Sequence, residues 1–393
     1  MILTNKQEQG LKICLQRYKN KERYSCVSGY AGTGKSTLIK FIVSALDLDE
    51  DEVAYITFTG KAAEVLRKKG CPQATTAHKL LYYSKPLPNG KFLYKPKPHL
   101  DPFLKLIVVD EVSMLPAELW ELLLSHRIHV IACGDPFQLP PINKDSDNHV
   151  LDTPHVFLDE IMRQAQESEI IRLTMDIREN KPIKYQQGTE IHVVPHNEIV
   201  TGMYNWADQI IVGTNNKRHE INNYMRKAAG RGNEPEDGDK IICLRNCWDI
   251  MDDTGDMALV NGTIGYLSDP FKMELDIPLP GFPKEIPVLE SCLITDGGNN
   301  FLSQPINMDY SALTTGSKCL TPQQEYQLYK SAFKGMGPIE FNYGYAITCH
   351  RAQGSQWDKV MVIEERFPFD KNEHARWLYT ACTRPAQKLV LAR

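Results

Sequence analysis

The chain has 393 residues, 42% hydrophobic and 24% charged. At roughly 150 residues per domain that makes two or three globular units, and the balance excludes a disordered, collagen-like or membrane-spanning protein. The net charge of −4 gives the molecule as a whole no attraction for polyanions, so nucleic-acid binding has to come from a local groove.

No apolar run approaches the ~18 residues of a spanning helix. The start, MILTNKQEQG, is too polar for a signal peptide, so a cytoplasmic protein is expected, in the host cytoplasm for a viral chain. The first 135 residues alternate short β-branched runs with helical patterns. Tyr24 to Ser28, Val53 to Phe58, Leu106 to Val109 and His129 to Cys133 read as strands, and such alternation predicts a parallel sheet with helices on both faces. Between Lys79 and Leu100 the pattern breaks, and Asn89 and Gly90 mark a hairpin turn between two aromatic-bearing arms.

Strand and helix alternate again from about residue 150, with EIHVV and QIIVGT as strands and a helix from Asn216 to Ala229. Residues 231–338 are richer in Pro, Gly and short β-like pieces, which predicts an all-β insertion. The α/β signal returns at Tyr343 to Thr348 and Val360 to Ile363, then in a helix from Ala375 to Thr383 and a strand from Leu389 to Leu391. The expected domains are therefore 1–150, carrying the 79–100 insert, and 151–230 with 339–393, interrupted by 231–338. Ten cysteines lie scattered without a CxxC unit, and Cys243 and Cys247 read as small buried residues rather than zinc ligands.

Residues 29 to 36, GYAGTGKS, fit G-x-x-x-x-G-K-[ST] between an apolar strand and a helical run, the context of a phosphate-binding loop. Gly29, Gly32 and Gly34 let backbone N–H groups curve around phosphate oxygens, and the following helix adds its positive end. Lys35 reaches the β- and γ-phosphates, and the Ser36 hydroxyl binds Mg²⁺; Thr33 and Thr37 complete the loop.

LIVVDE puts Asp110 and Glu111 at the carboxyl end of an apolar strand, where an open α/β sheet places its ligands. Alone, the pair reads as a solvated strand end. Beside a phosphate loop Asp110 becomes a Mg²⁺ ligand, and Glu111 the group that orients or deprotonates water. GDPFQLPP then offers Asp135, and Gln138 as a γ-phosphate sensor.

The ordered set GYAGTGKS, TFTGKAA, TTAHKLL, VVDEVSML, GDPFQLPP, TNNKRHEIN, YAITCHRAQGSQWDKV and LYTACTRPAQKLVL resembles the motifs of superfamily 1 helicases, subgroup 1B, of the RecD-like and Dda-type phage kind. The resemblance spans nearly the whole chain. It implies two RecA-like P-loop NTPase domains with a β-hairpin insert in the first and a β-rich, SH3-like insert in the second.

It further implies that Gln7, in LTNKQ, recognises adenine, and that Arg163, in LDEIMRQ, and Arg384, in TACTRP, reach the γ-phosphate across a cleft. Gly354, in HRAQGSQ, couples nucleotide state to strand grip. For nucleic acid it points to Thr59, Lys61, Thr76, His78, Thr348, His350 and Ser355, each of which is also a candidate capping or buried polar group. The 79–100 insert carries Lys79, Lys85, Lys91, Lys95 and Lys97, no acid and four aromatics, a composition suited to backbone attraction and base stacking. Phe92 is the candidate strand-separating wedge; an ordinary solvated hairpin is the other reading.

The expectation is an ATP- and Mg²⁺-dependent motor that moves 5′ to 3′ on single-stranded DNA and opens tailed duplex. It is read as a monomer, with replication or repair proteins as partners. An ATP-gated single-strand clamp and a small-molecule kinase are the rival readings.

Overall fold

The computed structural model describes residues 3–86, 92–141, 147–162, 167–255, 257–282, 286–296, 298–307, 320–331, 337–366 and 370–393. The chain forms two compact units. One holds residues 1–82, 96–213 and 348–393; the other holds 83–95 and 214–347.

In chain order the strands begin with β1 (Tyr24–Gly29), β2 (Val53–Thr57), β3 (Thr75–Thr76), the pair β4 (Tyr82–Pro86) and β5 (Phe92–Pro96), β6 (Leu106–Val109), β7 (His129–Gly134) and β8 (Val156–Leu158). Apart from the β4–β5 pair they make one sheet in the order β3-β2-β6-β7-β1-β8, parallel throughout. β6 and β7 are buried at every residue, which is why LIVV and HVIACG show no polar alternation: both faces of a parallel sheet are covered.

On one face Ile107, Val109, Val130 and Ala132 pack with Leu119, Trp120 and Leu123 of the helix Ala117–Ser125. On the other, Leu106, Val108, Ile131 and Cys133 meet Leu38 and Ile42 of the helix Lys35–Leu46 and Cys14 of the helix Asn5–Lys19. Each such aliphatic side chain contributes about 1.5–3 kcal/mol on full burial.

Then follow β9 (Gln186–Gln187), β10 (Ile191–Val194), β11 (Gln209–Val212), β12 (Lys240–Cys243), β13 (Cys247–Met251), β14 (Ala258–Leu259), β15 (Ile264–Leu275), β16 (Ile286–Thr295), β17 (Asn300–Asn307), β18 (Phe341–Tyr343), β19 (Ala346–Thr348), β20 (Trp357–Ile363) and β21 (Pro385–Ala392). The second sheet of the first unit runs β11-β20-β21-β10-β9, parallel except for β9 against β10. Its helices include Glu169–Arg178 and Lys371–Cys382. The architecture is thus α/β with two mainly parallel sheets of RecA-like kind and antiparallel β inserts.

In the other unit, β17-β16-β15-β12-β18 form an antiparallel sheet. Two sequence expectations change here. The run Tyr343 to Thr348 is not one strand: it breaks at Gly344 and Tyr345 into β18 and β19. A Cβ at Gly344 would stand 3.0 Å from the Ile241 carbonyl carbon, so the chain crosses β12 too closely for a side chain. The insertion is also not all β, since Pro322–Lys330 is a helix, started by a Thr321–Gln324 capping box with proline in its first turn.

No helix of the described residues is long and apolar enough to cross a membrane.

Candidate functional site

The carboxyl ends of β6, β7 and β1, three neighbours in the first sheet, bring the candidate residues together. After β1 the loop turns through Gly32 and Gly34 at φ of 77° and 79°, a region open to glycine at no steric cost. A Cβ on Gly34 would lie 2.4 Å from Gln7 Nε2, so this glycine also makes room for Gln7. Gln7 is buried, shares a capping box with Thr4, and donates from Nε2 to the carbonyls of Thr33 (3.3 Å) and Gly34 (3.4 Å).

The Lys35 ammonium donates to the carbonyls of Gly29 and Tyr30, both at 2.8 Å, and the Thr33 hydroxyl to the carbonyl of Tyr30 at 2.8 Å. Lys35 opens the helix that follows, with Ser36 exposed and Thr37 half-buried on its first turn.

Asp110 follows the last residue of β6 and accepts from the Glu111 N–H at 3.1 Å. Its burial, then the neighbouring Glu111, push its carboxyl up to about 6, against the pull of that N–H, Lys35 and Lys69. Glu111 sits at φ 53°, in the left-handed region. Its Oε2, like Gln138 Oε1, is buried with no hydrogen-bond partner among the described residues. Such atoms cost stability unless something else satisfies them.

The oxygens of Asp110 and Ser36 are donors of the kind that suits a hard divalent cation. Among the described residues no group of three or more His, Cys, Asp or Glu is placed to hold a metal by itself. Mg²⁺ takes one or two carboxylates and completes its shell with substrate phosphates and water.

The second sheet's elements reach the same place. Arg384, buried just before β21, brings Nη1 to 3.6 Å from Glu111 Oε1, and is held by the Thr380 carbonyl (3.0 Å) and the Thr383 hydroxyl (2.9 Å). Gly354, at φ 75°, approaches so closely that a Cβ would stand 2.6 Å from that of Ala62. Arg163 lies outside the described residues. The Met162 N–H bonds to the Gly32 carbonyl at 3.1 Å.

Further residues join the set. The Tyr379 hydroxyl accepts from the Ala31 N–H (2.9 Å) and donates to Asp135 Oδ2 (2.7 Å). The Thr380 hydroxyl accepts from the Leu139 N–H (2.9 Å), while Gln353 Nε2 donates to the Leu139 carbonyl (3.0 Å). The Arg178 guanidinium lies over the Tyr30 ring, 3.7 Å from its centroid. Lys69 lines a cavity with Asp110, Glu111 and Arg384. Tyr379 and Thr380 stand inside the quoted LYTACTRP; Arg178 and Lys69 carry no motif.

The nucleic-acid candidates have visible structural duties. Thr59 and Thr76 cap helices, accepting from the Ala62 N–H (3.2 Å) and the Lys79 N–H (3.3 Å). Lys61 bonds Glu64 at 3.0 Å. His78 packs between Phe58 and Tyr82, and burial holds its pKa below the usual imidazole range, as it does for His350. Thr348 occupies the N-cap of the short helix Cys349–Ala352 without a side-chain bond, and Ser355 is buried. Phe92 begins β5, but its side chain, like Asn89, Gly90 and Lys91, lies outside the described set.

Residues 3–196 match a family described as an AAA domain, and residues 343–392 one described as a UvrD-like helicase C-terminal domain. The chain is similar to the ATP-dependent RecD2 DNA helicase of Deinococcus radiodurans, 35% identical over 389 residues that cover 94% of this chain and 47% of the relative. It is also similar to the ATP-dependent DNA helicase dda of Enterobacteria phage T4, 30% identical over 145 residues, 36% of this chain and 33% of that one. It thus spans less than half the length of either curated relative.

Among solved structures, the Pif1 helicase from Candida albicans superposes with a TM-score of 0.55 at 18% identity, over 100% of this chain and 94% of the other. The Bacteroides Pif1 helicase in complex with ADP-AlF3 and ssDNA gives 0.56 at 16%, over 100% and 93%. At those identities the likeness is one of fold.

Proposed function

The chain belongs to the superfamily 1B helicases of the Pif1, RecD2 and Dda-like family, and from that premise we propose that it hydrolyses ATP to move 5′ to 3′ along single-stranded DNA and open a tailed duplex. The observation that carries the reading is the 3.6 Å approach of Arg384 to Glu111: a cation from the second sheet stands at the acid of the first. A guanidinium supplied this way stabilises charge spreading over the γ-phosphoryl oxygens.

In this reading the ATP phosphates lie in the loop of Gly29, Gly32, Thr33, Gly34 and Thr37, against Lys35, with adenine met by Gln7. Ser36 and Asp110 would hold Mg²⁺, which supplies positive charge to the β- and γ-phosphates. Glu111 orients water and takes its proton, Gln138 senses the γ-phosphate, and Arg163 joins Arg384. Gly354 ties this state to Thr59, Lys61, Thr76, His78, Thr348, His350 and Ser355 on the strand, and Phe92 wedges the duplex.

We assign 1–150 as the first motor domain with its 79–100 pin, 151–230 with 339–393 as the second, and 231–338 as its insert. The protein is read as a cytoplasmic monomer that serves replication or repair.

Unwinding of 5′-tailed and 3′-tailed duplexes, each in DNA and RNA, tests the reading. The expected result is activity on 5′-tailed DNA. A folded Lys35→Ala protein should turn over no ATP, since the ammonium is held by the loop carbonyls of Gly29 and Tyr30 rather than packed in the core. Normal hydrolysis by that variant would refute the assignment.

A further inference from the structure

A cavity of about 180 Å³ opens beside Glu111. Ala62, Val65 and Leu66 of the helix Gly60–Lys68 form one wall, and Gly354, Ser355 and Gln356 another. Asp110, Glu111, Thr383 and Arg384 close its inner end. Lys69 and Gln356 are the exposed members of this lining, so the outer end carries an ammonium and an amide.

No residue of the phosphate loop, 29–36, lines the cavity. It therefore meets the site from the acid side alone. It holds two cations of different standing: Arg384 is buried and bonded at the inner end, whereas the Lys69 ammonium is exposed yet close enough for its charge to act on Asp110.

The hydrolysis proposed above fixes what such a passage is for. The water oxygen bonds to the γ-phosphorus, the bond from that phosphorus to the bridging oxygen breaks with its electron pair staying on ADP, and the water's proton passes to Glu111. ADP remains in the phosphate loop. Inorganic phosphate is the fragment released on the Glu111 side, and it carries negative charge next to two carboxyl groups. Attraction first to the buried Arg384 and then to the exposed Lys69 draws it outward.

Resting on that reading, we propose that this cavity is the exit route for inorganic phosphate, and that Lys69 at its mouth draws the product out.

The test compares ATP cleavage, followed by rapid quenching in single turnovers with saturating single-stranded DNA, against the appearance of free phosphate, followed with a fluorescent phosphate-binding reporter. Lys69→Glu reverses the charge at the mouth of the exit, and Val65→Phe narrows the passage without touching a charge. The ratio of phosphate release to cleavage should fall at least tenfold in Lys69→Glu, and also in Val65→Phe.

A ratio within twofold of the parent in Lys69→Glu overturns the proposal, even if both steps slow together, because that pattern marks damage to the chemistry. Lys69 is exposed, so a thermal melt matching the parent is expected, and the test stands on this variant should Val65→Phe fail to fold. Failure of the hydrolase reading is distinguishable: the parent chain itself would then cleave no ATP, and the exit proposal would fall with it.

Discussion

Tyr379 shows how much one hydroxyl can hold. It is buried, accepts from the Ala31 N–H and donates to Asp135, so its removal leaves both an N–H and a carboxylate oxygen short of a bond. Burial, with the Asp135 charge next, pushes its own pKa well above the usual phenol range, so it serves as a neutral donor at any working pH. Tyr379→Phe should cost about 1–3 kcal/mol, seen as a lower urea midpoint at unchanged slope; an unchanged midpoint would mean water replaces both bonds. At this scale the sequence showed residue types and not partners. Asp110 and Glu111 were legible because an apolar run places them at a strand end, and Lys35 because the glycine spacing before it places it at a helix start. Tyr379 was not, since its partners lie 348 and 244 residues away in the chain and no local spacing encodes that.

Among the elements, the contact between the loop at Gly354 and the helix Gly60–Lys68 is the tightest to test. Gly354→Ala places a methyl 2.6 Å from the Ala62 Cβ at a φ of 75°. The left-handed backbone alone costs about 1–2 kcal/mol for a residue with a side chain. Thermal melts should show Gly354→Ala destabilised, and adding Ala62→Gly should recover the steric share and leave the backbone share. Full additivity of the two changes would deny that they meet.

Strand β7 carries a second test. His129 places Nδ1 2.8 Å from the Glu22 carbonyl and Nε2 3.1 Å from the Ser25 hydroxyl. A nitrogen facing a carbonyl must be the protonated one, so Nε2 accepts. Burial lowers this imidazole's pKa from 6.5. The unfolded chain therefore takes the proton first, and the fold loses stability as pH falls below about 6.5. The urea midpoint should drop between pH 7.5 and 5.5, and His129→Asn should lower the midpoint at pH 7.5 while shrinking the further drop.

Strands such as β6 were readable because burial on both faces leaves a continuous apolar run. The break between β18 and β19 was not, because Gly344 answers to a neighbouring strand. The helix Pro322–Lys330 was announced by Thr321, Pro322 and Gln324, a capping signal hidden inside a stretch otherwise rich in turns.

For the whole molecule, the chain makes two detours, 83–95 and 214–347, which cluster as one compact unit. Composition marks each detour, but nothing in the sequence joins segments more than a hundred residues apart. If the first detour is a pin, Phe92→Ala should reduce duplex opening several-fold while DNA-stimulated ATP turnover stays near the parent's. Equal loss of both would make it part of the grip on the strand, and would favour the clamp reading.

The two carbonyl bonds of Lys35 have a thermodynamic consequence. An anion entering the loop must displace acceptors already seated at 2.8 Å, so binding is an exchange, and the heat seen in a calorimeter is the difference between an ammonium–anion pair and two bonds to neutral carbonyls. A small oxyanion keeps only that difference. On the proposed reading, a chain of phosphates would engage the loop's N–H groups at the same time and gain more than a single anion does, so the lysine would discriminate by valence before any base is read.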